Sequence, residues 1–205
     1  MLRRVIDPPD EGTYLKKRRV LMRLRAAHRR STPDVVFAAD AYANLTEPLG
    51  EGFRMNRALQ SNGGPPLVGK MGELVRCMDR AISTSPFRFP SKHVGEYLFR
   101  GISKEDFSRI KKNEVIDFPS YLSTSFMVVS PLLYASGGLL LLKAQIDLPC
   151  LFAPNEDEII LPRGTKWRVI GAEKQVRINV AHPKYKDTIL RQKVGIIVME
   201  CIGVV

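Results

Sequence analysis

Cysteine and histidine are scarce in this chain, with three of each among 205 residues. Cys77, Cys150 and Cys201 lie far apart, and no Cys-x-x-Cys pair occurs. A structural zinc site draws four ligands from closely spaced pairs, so none is expected. An odd, scattered trio makes no disulfide framework either, and fits a reducing compartment. Long apolar runs are also missing. The longest, Gly137 to Leu142, is the length of a strand, far below the roughly 18 residues of a membrane span. The amino terminus has basic residues without an apolar stretch behind them, so a secretory leader is not expected. Asp7, Asp10 and Glu11 argue against an Arg-rich transit peptide. The expectation is a cytoplasmic protein, or one delivered into another cell without such a leader.

Acidic residues are the other shortage. Against 32 Lys and Arg stand 21 Asp and Glu, a net charge of +11. That balance favours acidic proteins, nucleic acid or anionic membrane as partners, and says nothing about fold. The excess is uneven. Residues 1–34 hold ten basic residues and four acidic ones, so they carry six of the eleven net charges. Within them, "YLKKRRVLMRLRAAHRR" (14–30) reads as a helix, with Leu15, Val20, Leu21, Leu24 and Ala27 in an imperfect apolar stripe. Such charge runs are most often the solvated face of a docked helix. Contact with nucleic acid, an anionic membrane or an acidic target protein is the functional alternative. The expected organisation is a basic extension over 1–34 and a single domain over 35–205, with ample chain for a core.

What is present comes in two textures. Up to residue 82 the chain looks helical, with segments over 36–47, 51–60 and 72–82. The last of these puts Leu74, Val75, Met78 and Ile82 on one face. "SNGGPP" and "SPFRFPS" read as breaks. From Tyr97 onward short apolar segments read as strands: "EYLFRG", "SYLSTSF", "GLLLLKAQID", "DEIILP", "KWRVIGAE", "QVRINVAH" and "KVGIIVMECIGVV". Residues 102–112 add a short helix. Helices followed by strands predict an α+β fold.

Three of these segments carry polar residues where strands are usually apolar. Arg100 ends an apolar strand and precedes Gly101. It is either a surface ion pair or a planar fork of donors for a phosphate. Ser123, Thr124 and Ser125 sit between Leu122 and Phe126, where a hydroxyl commonly makes a structural hydrogen bond. Glu156, Asp157 and Glu158 run straight into Ile159, Ile160 and Leu161. Strand alternation would turn Glu156 and Glu158 one way and Asp157 the other. Two carboxylates on one face can divide labour when their surroundings differ, although acidic pairs at a strand start are usually just solvated.

Their order is more telling than any one of them. Aromatic-Arg-Gly, then Ser-Thr-Ser, then Glu-x-Glu before an apolar strand and "PRGTKWRV" resembles the mono-ADP-ribosyltransferases of the Arg-Ser-Glu class. That class includes actin- and Rho-modifying toxins, type III effectors, phage-encoded transferases and vertebrate ecto-enzymes. The resemblance spans about residues 40–205. It includes "YANLTEPLGEGFRMNRALQSNG", with Asn56 and Leu59 in the family's Asn-x-x-Leu position, and "LVRCMDRAI" before "YLFRG".

The resemblance implies N-terminal helices followed by two small, mainly antiparallel sheets flanking an NAD cleft, with NAD as substrate and no metal. Arg100 would hold the NAD phosphates, next to Gly101. Ser123 would position the catalytic Glu158, and Thr124, Ser125 and Phe126 would line the nicotinamide pocket. Glu158 would bond the ribose 2′-hydroxyl and stabilise an oxocarbenium-like centre. Glu156, two residues earlier, goes in this family with an arginine acceptor. The partner is then a target protein presenting arginine, and the chain a toxin- or effector-like transferase. The turn from Pro149 to Asn155 would meet that target through Leu151 and Phe152, although core packing is an equal reading for both. The segment Phe126 to Gly138 departs from the family. It offers Phe126 and Tyr134 but no Arg or Lys, which puts NAD contacts there in question. The competing readings are an NAD glycohydrolase, a transferase acting on nucleic acid, and an inactive binding module.

Overall fold

The computed structural model describes residues 11–43, 51–61, 67–90, 97–154, 157–181 and 189–204. Among the described residues, helices come first: α1 (Glu11–His28), α2 (Pro33–Tyr42), α3 (Glu51–Ser61) and α4 (Gly69–Thr84). Gly72, Val75, Met78, Ala81 and Ile82 form the buried stripe of α4, as the period of 3.6 requires. Pro33 at the start of α2 costs no hydrogen bond, because the first N–H groups of a helix have no partner to lose.

Strands follow: β1 (Phe87–Phe89), β2 (Tyr97–Ile102), β3 (Val115–Phe118), β4 (Leu122–Thr124), β5 (Gly138–Ala144), β6 (Leu148–Ala153), β7 (Glu158–Leu161), β8 (Thr165–Ala181) and β9 (Ile189–Val204). Two short helices interrupt them, α5 (Lys104–Arg109) and α6 (Val129–Tyr134). The strands form a four-stranded sheet, β1-β6-β7-β4, and a five-stranded sheet, β2-β5-β9-β8-β3. Among the described residues, β5 pairs with β9 in parallel and the other named strand pairs are antiparallel. This is the α+β architecture expected from the sequence.

Alternation along the strands sorts the side chains into layers. In β6 and β7, Leu148, Cys150, Phe152, Ile159 and Leu161 join a core with Leu98, Leu140, Leu142, Trp167 and Met199 of the other sheet. Their neighbours Leu151, Ala153 and Ile160 turn the opposite way, onto α2, α3 and α4. The four-stranded sheet is thus buried on both faces, which is why "EIILP" reads as a continuous apolar run.

Helix α1 packs on this body. Leu24 is 4% exposed within the core between the sheets. His28 is buried, edge-on to Phe152 at 6.3 Å between ring centroids. A polar strut ties α4 to the sheet. Arg163 donates to both oxygens of Asp79 at 2.7–3.1 Å. Tyr121 Oη lies 2.7 Å from Asp79 Oδ1 and 3.0 Å from the Val75 carbonyl, so its one proton is shared between them.

Two sequence expectations are corrected. "KWRVIGAE" and "QVRINVAH" are one strand, β8, because register shifts at Val169/Gly171 and Glu173/Val176 carry the pairing with β9 across the apparent break. Residues 149–153 are not turn but strand: they pair with β1 and β7 as most of β6.

Candidate active site

The two sheets meet where β2 passes β4. Phe99 donates its N–H to Ser125 O at 2.7 Å, and Ser125 returns its N–H to Phe99 O at 2.9 Å. Arg100 is the next residue. It shares its face of β2 with Leu98 and Ile102, which point into the core between the sheets. Its Nη1 donates to the Ser123 carbonyl at 2.9 Å. This bond fixes the half-buried guanidinium at the edge of the gap. Gly101 is required by packing: a Cβ there would come within 2.4 Å of the Pro131 carbonyl on α6.

Register brings Ser123 and Glu158 together. Ser123 pairs with Ile160 across β4 and β7, so both point to the helical side of the sheet. Glu158 lies two residues before Ile160 on the same strand face and is therefore the diagonal neighbour of Ser123. Thr124, buried, donates Oγ1 to the Ile159 carbonyl at 2.6 Å and locks this register. Ser125 Oγ accepts from the Met127 N–H at 3.0 Å and reaches the Asp157 carbonyl at 3.5 Å. Glu158 is 6% exposed, a carboxylate largely withdrawn from water.

Arg100, Gly101, Ser123, Thr124, Ser125 and Glu158 all line one cavity of about 610 Å³. The helices supply the opposite wall through Tyr42, Phe53 and Asn56, while Leu133 and Tyr134 close it from α6. Asn56 is a strut within that wall: its Nδ2 donates to Tyr42 Oη at 2.7 Å, and its Oδ1 accepts from the Tyr121 N–H at 3.1 Å. Leu59 is fully buried beneath it. Phe53 was missed in the sequence, yet it leaves a signal there. It falls outside the buried stripe of Met55 and Leu59 and is 56% exposed.

Not every expected residue reaches the cavity. Phe126 is buried in the core between the sheets, while its neighbour Ser125 lines the wall. Phe152 packs against Phe87 and His28, and Leu151 against the helices; both are wholly buried. Neither can touch a target protein, so the role of Phe152 in acceptor recognition is withdrawn in favour of core packing. Glu156 lies outside the described residues. Strand alternation begins only at Glu158, where β7 starts, and Asp157 before it sits in a turn with φ 53°. Asp157 lines the cavity and is paired: Arg25 Nη2 on α1 donates to its Oδ1 at 2.9 Å and approaches the Pro154 carbonyl at 3.5 Å.

Burial pushes the Cys150 thiol up to about 12 and raises Cys201 as well, so neither is an activated nucleophile. Among the described residues, no three of His, Cys, Asp and Glu are placed to hold a metal ion, and no helix is long and apolar enough to cross a membrane.

No family model matches the sequence, and no curated protein does. Solved structures do match. Plx2a, an ADP-ribosyltransferase toxin from Paenibacillus larvae, superposes with a TM-score of 0.63 at 14% identity, over 96% of this chain and 100% of its own. An ADP-ribosyltransferase from Clostridium botulinum, solved in a triclinic form, gives 0.60 at 15%, over 90% of this chain and 94% of its own. Exoenzyme S from Pseudomonas aeruginosa, solved with carba-NAD and human 14-3-3 protein beta, gives 0.55 at 16%, over 92% and 88%. Identities this low speak to architecture, and the architecture is shared over nearly the whole length: the chain has the fold of the ADP-ribosyltransferase toxins.

Proposed function

We propose that the protein cleaves NAD and transfers ADP-ribose to arginine side chains of a target protein, releasing nicotinamide. The observation that supports this is convergence. Arg100, Ser123 and Glu158 come from three separate motifs, and all line one cavity walled by both sheets. Its volume falls in the range of about 300–1,000 Å³ common for small-molecule sites.

In this reading Arg100 holds the diphosphate. One of its five donors is engaged by the Ser123 carbonyl, which orients the fork and leaves the others for phosphate oxygens. Glu158 faces the nicotinamide ribose. As the bond between C1′ and the ring nitrogen breaks, the electron pair leaves with nicotinamide and positive charge builds on the ribose. A fixed carboxylate in a site with little water offsets that charge without having to reorganise. Glycosidases set carboxylates against a related transition state. A guanidinium nitrogen of the target then bonds to C1′, and Glu156 takes its proton. A carboxylate suits that step because it pairs with a guanidinium through two parallel hydrogen bonds. Plx2a is a toxin, and we extend that to this chain as an effector acting inside another cell.

Incubation with labelled NAD and a cell lysate, with and without nuclease, tests the proposal. Label should appear on protein and resist nuclease. Nuclease-sensitive label would assign the activity to nucleic acid, and free ADP-ribose alone would make the protein a glycohydrolase.

A further inference from the structure

Beside the NAD cavity lies a second, smaller pocket. It occupies about 410 Å³ between α1 and the end of β6, and Arg25, His28, Arg29 and Pro154 line it. The ion pair of Arg25 with Asp157 separates the two, since Asp157 lines the NAD cavity and Arg25 the smaller pocket. Arg25 is committed to that pair. Arg29 is exposed, and its guanidinium has no acidic partner among the described residues. Arg18, Arg25 and Arg29, with the exposed Met22 between the first two, follow one another at helical spacing, so three exposed cations lie along one side of α1 that ends at the pocket.

We infer that this pocket is a subsite for a carboxylate of the target protein, so that the modified arginine lies beside an acidic residue or patch. The inference rests on the arginine-transfer reading above. The charge demands an anion, and the surroundings favour a protein as its source. The apolar face of α1 is spent: Val20, Leu21, Leu24 and Ala27 pack on the core between the sheets, so the helix has no face to lay among lipid acyl chains. Single-stranded nucleic acid is usually held by exposed aromatic rings, whereas His28 here is buried against Phe152. Pro154 precedes Glu158 by four residues, so a group bound against it lies close along the chain to the proposed site of transfer.

The test is fluorescence anisotropy, without NAD, of a labelled peptide carrying one arginine flanked by glutamates, and of its glutamine counterpart. The intact protein should bind the glutamate peptide more tightly, and the preference should shrink as salt screens it. Arg29→Gln should weaken that binding by about fivefold, the upper range for an exposed charge pair. Arg109→Gln, a charge change at the distant end of α5, should leave it unchanged. Equal binding by Arg29→Gln and the parent protein overturns the inference. So does tighter binding of an oligo-dT strand or of phosphatidylserine vesicles that depends on Arg29. Steady-state transfer onto the same peptides separates the two readings. An acidic peptide that binds through Arg29 yet is never modified refutes arginine transfer and leaves the subsite standing. Modification of both peptides with the same KM refutes the subsite alone.

Discussion

Arg100 has two tasks in this account, and they call for the same side chain. It must hold the Ser123 carbonyl, 2.9 Å away, and still offer a planar set of donors to a diphosphate. Arg100→Lys keeps the charge and loses the fork. It should raise the KM for NAD in nicotinamide release by about tenfold, the scale of one good charged hydrogen bond; an unchanged KM would remove Arg100 from the phosphate site. In the proposed mechanism, Glu156 carries the choice of acceptor. Glu156→Gln should leave NAD hydrolysis intact and abolish arginine modification, because an amide cannot take the guanidinium proton. Measured side by side, undiminished transfer to arginine would sink that assignment. Ser123 and Glu158 were each legible in the sequence as polar residues in apolar strands, but their adjacency was not. It depends on the pairing of Ser123 with Ile160, a contact between strands far apart in the chain, and no local pattern encodes such a register.

Among the elements, α1 ties the basic end of the chain to the core. Its charge run reads as the solvated face of a docked helix, and Leu24 and His28 are its buried side. Leu24→Ala should destabilise the fold by about 2–5 kcal/mol, as for other buried leucines, read as a lowered midpoint in urea. A change within error would show that α1 rests on the core without supporting it. The strut across α4 and the sheet makes a second case. Tyr121 is fully buried, and burial followed by its hydrogen bond to Asp79 raises its pKa above the usual phenol range. Tyr121→Phe should cost about 1 kcal/mol through the lost hydrogen bond, with the hydroxyl's share of burial returned. Most helices were legible because their buried stripes repeat at helical spacing. β6 was not, for a physical reason. Pro149 argues against a strand, but it pairs with Arg88 beyond the reach of β7, whose contacts cover Leu151 to Ala153. At that end β6 is bonded along one side, where a proline is tolerated. β1, three residues between Pro86 and Pro90, is too short to leave a period at all.

Over the whole molecule, two sheets share a core, the helices cover one face of the smaller sheet, and the candidate site opens where the sheets and helices meet. Acid should loosen this arrangement at α1. Burial, opposed by the weaker pull of Asp40, lowers the pKa of His28 below its ordinary value. The unfolded chain therefore takes up the proton more readily than the folded one. The contribution of a neutral His28 is complete above about pH 6.5 and is lost as the pH falls below that value. A melting temperature that drops between neutral and mildly acidic pH, with a smaller drop in His28→Gln, is the expected result; parallel curves for the two proteins would contradict it. The central claim is that this cavity cleaves NAD with the Glu158 carboxylate facing the ribose. Nicotinamide release by the intact protein and by Glu158→Ala, both shown folded by circular dichroism, tests it most directly. The intact protein should release nicotinamide, and the variant should lose at least about a hundredfold in rate. Equal rates, or no release from either, would contradict it.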